Sequence, residues 1–374
     1  MRAGGYFRLP LDQRPAVPDG FNRRTPASVT SPSLGRQSHA RGLPDHAGLC
    51  FGETVLTSTQ RLVDTNGVRL RTEEAGDRGA PLVVLAHGFP DLAYGWRRQI
   101  PVLAEAGYHV LAPDQRGYGG SSRPGAVEDY DIVALTGDLV GLLDDVGAEH
   151  AVFVGHDWGA SVVWSTGLLH PDRVAAVVGL SVPPVPRPLV PPTQAFRKIF
   201  GDNFFYMLYF QEPGVADADL ARDPATTMRR MIAGLRAFDP QADRLEMAGP
   251  APAGFVERLP EPDTLPSWLR QAELDHYIAE FTRTGFTGPL NWYRNLDRNW
   301  ELTAAAPKIT APSMFIGGTG DPVLAFTRRD RYPEVVDGPY QEVMIDGAGH
   351  WVHQERPAEV NEALLSLLSG LELR

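Results

Sequence analysis

A short turn near the middle of the chain carries residues that could do covalent chemistry. The stretch AVFVGHDWGAS, residues 151–161, predicts a buried strand, a tight turn and the start of a helix. Gly155 and Gly159 flank Asp157 with the small-x-nucleophile-x-small spacing of a strand-to-helix elbow, which in its best-known form carries a serine. A carboxylate therefore occupies the position of a nucleophile.

An aspartate at this position favours attack on an sp³ carbon. Serine would leave an ether there, which water does not easily cleave, whereas a carboxylate leaves an ester, which water can hydrolyse. Asp157 needs no base to activate it, because a carboxyl group with a reference pKa of about 3.9 is ionised at neutral pH. Serine esterase activity is disfavoured because Asp157 occupies the position where the serine would be.

Two further residues follow later predicted strands and complete a hydrolytic set. Asp321 lies in GGTGDPV and His350 in DGAGHW, so the chain order is nucleophile, acid, histidine, as in the α/β hydrolases. We expect His350 to activate water against the ester and Asp321 to hold the imidazole tautomer. The backbone N–H groups of Phe89 and Trp158 are expected to bind the oxyanion.

The leaving group distinguishes the reactions open to such a site. A halide leaves unaided, whereas an epoxide oxygen leaves as an alkoxide and requires an acid that is protonated at neutral pH. Tyrosine hydroxyls meet this requirement. They occur in FFYMLYFQEPG, residues 204–214, and in GPLNWYRN, residues 288–295.

Strands and helices alternate around these residues. Strands are predicted at 81–86, 108–114, 151–155 and 174–182, helices at about 95–106, 131–146 and 158–169, and a hairpin around Asn66-Gly67. This alternation predicts an α/β fold, with a mostly parallel sheet flanked by helices. Sites in such sheets lie beyond the carboxyl ends of the strands, where the candidate core residues occur.

The alternation of strands and helices is interrupted once, and the residues that precede it differ in composition from the rest of the chain. We expect a disordered tail at 1–55, a core at 56–182 and 312–374, and an inserted helical cap at 183–311. Within the second core part, strands are predicted at 312–318 and 341–346 and a helix at about 357–371. Residues 1–50 hold seven arginines, three aspartates, six prolines and six glycines without a sustained apolar period, which is typical of disorder.

The composition of the 374 residues excludes several classes of partner. The net charge of −11 disfavours nucleic acid and anionic membranes, and no apolar run is long enough to span a bilayer. Neither zinc-ligand spacing nor a phosphate-binding GxxxxGK[ST] loop is present, so we expect no metal and no cofactor. The single cysteine, Cys50, is compatible with a cytoplasmic location.

Longer segments give the chain a family resemblance. It resembles the epoxide hydrolases of the α/β-hydrolase superfamily, including the hydrolase domain of soluble epoxide hydrolase. The segments that carry the resemblance are HGFP, QIPVLAEAGYHVLAPDQRGYGGSS, AVFVGHDWGA, YMLYFQEPGVADADL, GFTGPLNWYRN and GHWVHQERPAEVN. By this resemblance Asp157 is the nucleophile, His350 the base, Asp321 its partner, and Tyr206 and Tyr293 the pair that polarises the epoxide oxygen.

Other residues are expected either to line the substrate pocket or to have a structural role. Phe89, Trp158, Met207 and Trp351 are expected to bind an apolar substrate. Tyr209 and Tyr277 do not match the family's tyrosine positions. The residues expected to be structural are His156, Asp114 and Trp96, whereas His353 is expected to be a solvated residue at the start of a helix.

Two alternative functions stay open at this point. The elbow is shared with haloalkane dehalogenases, although these usually place Asn or Gln where this chain has Phe89, or a halide-binding tryptophan in the lid. A non-catalytic ligand-binding member of the fold is the other alternative. The expected partners are an apolar epoxide and water, with a homodimer left open, and neither nucleic acid nor a membrane.

Overall fold

A β-hairpin begins the part of the chain that the computed structural model describes, namely residues 58–235 and 254–373. Strands β1 (Thr59–Thr65) and β2 (Val68–Ala75) pair antiparallel. Asn66 and Gly67 join them with φ angles of 44° and 75°, and two successive positive φ angles are typical of a type I′ hairpin turn. The predicted tail at 1–55 lies outside the described residues.

The hairpin pairs antiparallel with its neighbour in the sheet, and the strands beyond that neighbour pair parallel. The remaining strands are β3 (Leu82–Ala86), β4 (His109–Pro113), β5 (Ala151–His156), β6 (Val174–Leu180), β7 (Ser313–Gly318) and β8 (Tyr340–Ile345). Their order in the described sheet is β1-β2-β4-β3-β5-β6-β7-β8, and every neighbouring pair from β4 to β8 is parallel. The predicted mostly parallel α/β sheet is confirmed.

Helices follow most of the parallel strands. The core helices are α1 (Ile100–Glu105), α2 (Ile132–Val146), α3 (Trp158–Leu169), α12 (Val352–Glu355) and α13 (Pro357–Ser369). The helix expected at about 95–106 is shorter, because a 3₁₀ turn occupies Ala93–Trp96 and α1 begins only at Ile100. Pro101 explains the start, since proline has no N–H and is tolerated only in the first turn of a helix.

The central strands are buried on both faces. All described residues of β3 and β5 are buried, which explains why both segments are continuous apolar runs. Two apolar clusters lie on the two faces of the sheet: Val84 and Phe153 belong to one, and Val83 and Val152 to the other. Successive residues alternate between the clusters because side chains of a strand alternate between faces.

A long helical segment separates β6 from β7. In its described parts it holds α4 (Pro192–Phe200), α5 (Tyr206–Tyr209), α6 (Val215–Ala221), α7 (Pro224–Met228), α8 (Phe255–Arg258), α9 (Gln271–Thr284), α10 (Thr287–Arg294) and α11 (Leu296–Leu302). None of the helices in the described ranges is both long and apolar enough to cross a membrane.

Candidate active site

The turn between β5 and α3 holds Asp157 in a strained conformation. Its φ of +53° and ψ of −120° lie where non-glycine residues are rare. The flanking glycines make the turn sterically feasible: a Cβ at Gly155 would collide with the backbone of Gly159, and a Cβ at Gly159 with the backbone of Ala86. The structure thus has the predicted elbow, which places the carboxylate at the carboxyl end of β5.

Two backbone amides are directed at this carboxylate. The N–H of Phe89 donates to Asp157 Oδ1 at 2.8 Å, and the N–H of Trp158 donates to the same side chain. Phe89 follows β3, and a Cβ at the preceding Gly88 would overlap the side chain of Asp157. The glycine of HGFP therefore allows the close approach that brings both predicted oxyanion donors to one group.

The predicted acid and histidine lie next to the predicted nucleophile. His350 Nδ1 lies 3.2 Å from both carboxylate oxygens of Asp321, and His350 Nε2 lies 3.7 Å from Asp157 Oδ2. Asp321 follows β7 and His350 follows β8, so both reach the site from neighbouring strand ends. All three side chains are largely buried. This is the geometry of a nucleophile, a base and an acid that orients the base.

The surrounding carboxylates determine the charge of the imidazole. Burial alone would lower the pKa of His350, but Asp321, Asp157 and Glu355 together raise it to about 9. Burial also raises the pKa of Asp157, a shift that the charge of His350 and the two amides oppose. At neutral pH the free protein therefore holds an imidazolium among carboxylates.

Two buried side chains hydrogen-bond to the main-chain carbonyl of His350. It accepts hydrogen bonds from His156 Nε2 at 2.8 Å and from Ser181 Oγ at 2.7 Å. Since a carbonyl only accepts, His156 must carry its proton on Nε2. Burial holds the pKa of His156 well below its usual value, so the ring is neutral at this contact. Sequence analysis did not single out Ser181, which follows β6 with a φ of +64°.

A second residue that was not predicted from the sequence, Glu355, binds the backbone on both sides of His350. Glu355, at the end of α12, accepts from the N–H of Gly349 at 2.8 Å and from the N–H of Trp351 at 3.0 Å. These are the two amides that flank His350. The available sequence signal is an acidic side chain in the first turn of the helix that follows GHW, where such side chains commonly cap backbone N–H groups.

The two tyrosines of the resemblance lie together beside the nucleophile. Tyr206 begins α5 and Tyr293 lies in α10, with ring centroids 6.1 Å apart. Burial raises the pKa of both hydroxyls, and the negative charge of Asp157 raises both further. Both hydroxyls are therefore protonated at neutral pH and close enough to sense the charge of Asp157.

The two tyrosines that do not match the family's positions have hydroxyl partners elsewhere. Tyr209 donates to Asp219 Oδ2 at 3.3 Å, and Tyr277 donates to Asp91 Oδ1 at 2.7 Å. Neither bond reaches the carboxylate on the elbow.

The predicted pocket residues contact Tyr293, His350 or the apolar cluster beside them. Phe89 and Trp158 pack edge-on against Tyr293, with ring centroids 5.4 and 5.1 Å away. Met207 is half-buried and packs against the apolar cluster that contains Phe89 and Trp158. Trp351 is buried and packs edge-on against His350 at 5.1 Å. Aromatic and apolar groups therefore lie around Asp157 and His350.

A second polar cluster is buried next to this site. Asp91, His156 and His353 each have one atom of a type that can bind a metal ion, and these three atoms lie within 4.8 Å of one another. His353 Nε2 lies 3.5 Å from Asp91 Oδ2. We assign the cluster a structural role, because Asp91 already accepts from Tyr277 and Leu92, and His156 donates to the carbonyl of His350.

The expectation that His353 is solvated is wrong. Its ring is fully buried and packs against Trp96 and His156, with centroids 4.6 and 4.4 Å away. The four-residue helix α12 contacts the 3₁₀ turn Ala93–Trp96, so its first turn faces the interior. Trp96, His156 and Asp114 are themselves buried, as expected for structural residues.

Comparisons with known proteins agree with this geometry. Residues 81–357 match the family model described as alpha/beta hydrolase fold. The chain is 71% identical over 318 residues to Epoxide hydrolase A of Mycobacterium tuberculosis (strain ATCC 25618 / H37Rv), covering 84% of this chain and 99% of that protein. It is 38% identical over 309 residues to Bifunctional epoxide hydrolase 2 of Rattus norvegicus, covering 81% of this chain and 54% of that protein.

A solved structure extends the comparison to three dimensions. The crystal structure of Epoxide Hydrolase A from Mycobacterium thermoresistibile superposes with a TM-score of 0.83 at 68% sequence identity, covering 85% of this chain and all of that one. The predicted fold class and resemblance are confirmed, and the chain belongs to the epoxide hydrolases of the α/β hydrolase fold.

Proposed function

We propose that this enzyme converts an apolar epoxide to a vicinal diol through an ester on Asp157. The observation that carries the proposal is the position of one carboxylate. It lies between two amide donors, 3.7 Å from an imidazole and beside two protonated tyrosines. A carboxylate held this way can attack carbon with one oxygen while the amides bind the other.

In the first step, Asp157 Oδ2 attacks one ring carbon of the epoxide. A bond forms between this oxygen and carbon, and the carbon–oxygen bond of the ring breaks. Tyr206 and Tyr293 donate hydrogen bonds to the leaving oxygen, which takes a proton from one of them. The raised pKa of both hydroxyls keeps them protonated until negative charge develops beside them.

In the second step, His350 removes a proton from water, and the hydroxide attacks the carboxyl carbon of the ester. The amides of Phe89 and Trp158 stabilise the resulting oxyanion. The intermediate collapses to the diol and the free carboxylate of Asp157. The proton taken from water restores the resting imidazolium of His350, and tyrosine regains its own proton from that imidazolium after the first step, so the cycle adds one water to the epoxide.

Ester formation itself prepares the base for the second step. Asp157 contributes to the raised pKa of His350 only while it is negatively charged. An ester is neutral, so the pKa of His350 falls after the first step. The imidazolium then passes its proton more readily to the tyrosinate left by the first step, and becomes the base that water activation requires.

The surroundings of the nucleophile favour an apolar substrate. Phe89, Trp158, Met207 and Trp351 are proposed to contact it. Phe210 also packs against Phe89, with ring centroids 6.0 Å apart, and extends the aromatic surface. Such surfaces bind the apolar part of a ligand while a few polar groups orient its reacting atoms.

A panel of apolar epoxides and alkyl halides, with separate assays for diol and halide release, tests the proposal. Diol formation with wild-type protein, and its loss in Asp157→Asn, is the expected result. Halide release without diol formation would instead favour dehalogenation, and turnover of neither class would favour a ligand-binding role.

We also propose residues 183–311 as the cap, 56–182 and 312–374 as the core, and 1–55 as a tail. Helices α4 to α11 support the proposed cap, since they come between two adjacent strands of the sheet. A cytoplasmic location and a homodimer stay predictions. Cell fractionation and light scattering of the full chain are the measurements that test them.

A further inference from the structure

The loop that carries the base is attached to one carboxylate on both sides of His350. Glu355 Oε2 accepts from the N–H of Gly349, and Glu355 Oε1 accepts from the N–H of Trp351, at 2.8 and 3.0 Å. Each oxygen thus holds one of the two amides that flank the base. Rotation of the His350 backbone requires at least one of these bonds to break.

The same carboxylate is the third negative group around the imidazole. Asp157, Asp321 and Glu355 all favour the imidazolium form of His350, and Asp321 contributes most of the three. The other titratable groups packed near the ring are His156 and His353. Burial lowers the pKa of both, so they add no positive charge at neutral pH.

The importance of Glu355 increases after the first chemical step. Once Asp157 is esterified, only Asp321 and Glu355 still stabilise positive charge on the base. Hydrolysis of the ester develops that charge as water loses its proton to His350. Ring opening by Asp157, in contrast, does not require His350 to accept a proton.

We propose that Glu355 is a positioning residue for ester hydrolysis: it orients His350 through the two flanking amides and stabilises the imidazolium. This inference rests on the proposed two-step function. It assigns Glu355 to the second step and leaves the first step to Asp157 and the tyrosines.

The substitution Glu355→Gln removes the charge and leaves one acceptor for two amides. We expect the rate of ester loss to fall about ten- to a hundredfold, by analogy with loss of a group that orients a metal ligand. The rate of adduct formation should stay within about twofold of wild type, since the nucleophile and its amides are untouched. Rapid-quench mass spectrometry of the full chain with a styrene-type epoxide measures both rates.

The pH dependence separates the proposed role from loss of structure. The pH midpoint of ester hydrolysis should move to lower pH in Glu355→Gln, because a negative charge near His350 is lost. The plateau rate above that midpoint should also be lower, because a weaker and less ordered base acts on water. A purely structural role would leave the midpoint unchanged.

Asp131→Asn is the matched control. Asp131 caps the N-terminus of α2 through the N–H of Ala134 at 2.9 Å and is paired with Arg298. Its substitution also removes a capping carboxylate, so it should lower the melting temperature while leaving both rates and the pH midpoint unchanged.

Each outcome has a distinct meaning. If neither wild type nor His350→Gln forms an adduct, the proposed function fails. If wild type forms an adduct and Glu355→Gln loses it at the wild-type rate, or slows both steps equally, the inference about Glu355 alone is overturned. Should Glu355→Gln fail to fold, Glu355→Asp replaces it: its shorter side chain keeps the charge but draws the carboxylate back from the two amides, so ester loss should slow while the pH midpoint stays unchanged.

Discussion

The backbone N–H of Phe89 donates to Asp157 Oδ1 at 2.8 Å, although the two residues are 68 positions apart. This bond distinguishes the two carboxylate oxygens. Oδ1 is held by the amide, whereas Oδ2 is the oxygen that lies 3.7 Å from His350 Nε2. In the proposed mechanism Oδ2 is the attacking oxygen, and Oδ1 lies where the oxyanion of ester hydrolysis would form.

The origin of the diol oxygen follows from this arrangement. If Oδ2 attacks carbon and water later attacks the carboxyl carbon, the diol leaves with an oxygen from Asp157. In a single turnover with excess enzyme in ¹⁸O-water, the diol should carry no label. Mass spectrometry should find the label in the peptide that contains Asp157. Labelled diol in the first turnover would mean that water attacks the ring directly.

Substitution of the base should trap the intermediate. His350→Gln removes the group that activates water but leaves Asp157 and its amide donors in place. We expect this variant to accumulate an adduct whose mass increase equals the whole epoxide. An intact mass measurement after substrate addition checks this, with Asp157→Asn as the control that forms no adduct. Absence of an adduct in His350→Gln would contradict covalent attack.

The two tyrosines should act on ring opening and not on ester hydrolysis. Replacing either Tyr206 or Tyr293 with Phe removes one donor to the alkoxide, worth about 2.7–4 kcal/mol by analogy with loss of one oxyanion donor. The remaining tyrosine partly compensates, so the double variant should nearly abolish adduct formation. Single-turnover alkylation rates test this, with Tyr209→Phe as the control that keeps the wild-type rate. Wild-type alkylation in the double variant would revive the dehalogenase alternative.

The protonation of His350 should depend on the charge of Asp157. The free enzyme has a pKa of about 9 at His350, and Asp157 is one of the groups that raise it. Asp157→Asn imitates the neutral ester, so the pKa of His350 should fall. An NMR titration of the imidazole carbon signals measures the shift. An unchanged pKa in this variant would mean that ester formation does not prepare the base.

The elbow should tolerate no side chain at its second glycine. Gly159→Ala would bring a Cβ against the backbone of Ala86, and a backbone atom cannot swing aside. We expect a loss of about 1–3 kcal/mol in the free energy of unfolding, the usual range for overpacking. Gly125→Ala is the control, because no atom lies within 4 Å of its added Cβ. Denaturant melts compare the two, and equal stability would show that the elbow relaxes.

Residues with a local signal were accessible from the sequence, and those defined by distant contacts were not. Asp157 stands between two glycines after an apolar run, so its neighbours in the chain reveal its position. Ser181 has no such signal: its bond to the carbonyl of His350 joins residues 169 positions apart. His353 was misassigned because its environment comes from Trp96 and from the end of β5, both far away in sequence.

The sequence by itself determined the alternating strands and helices, the elbow with its carboxylate, and the chain order of nucleophile, acid and histidine. These follow from local periodicity and spacing, because a strand, a turn and a helix are decided largely by neighbouring residues. Only the tertiary structure decided that Glu355 holds both amides beside His350 and that three carboxylates raise its pKa to about 9. Hydrogen bonds and charge interactions depend on distance in space, and parallel strands bring distant parts of the chain to one edge of the sheet.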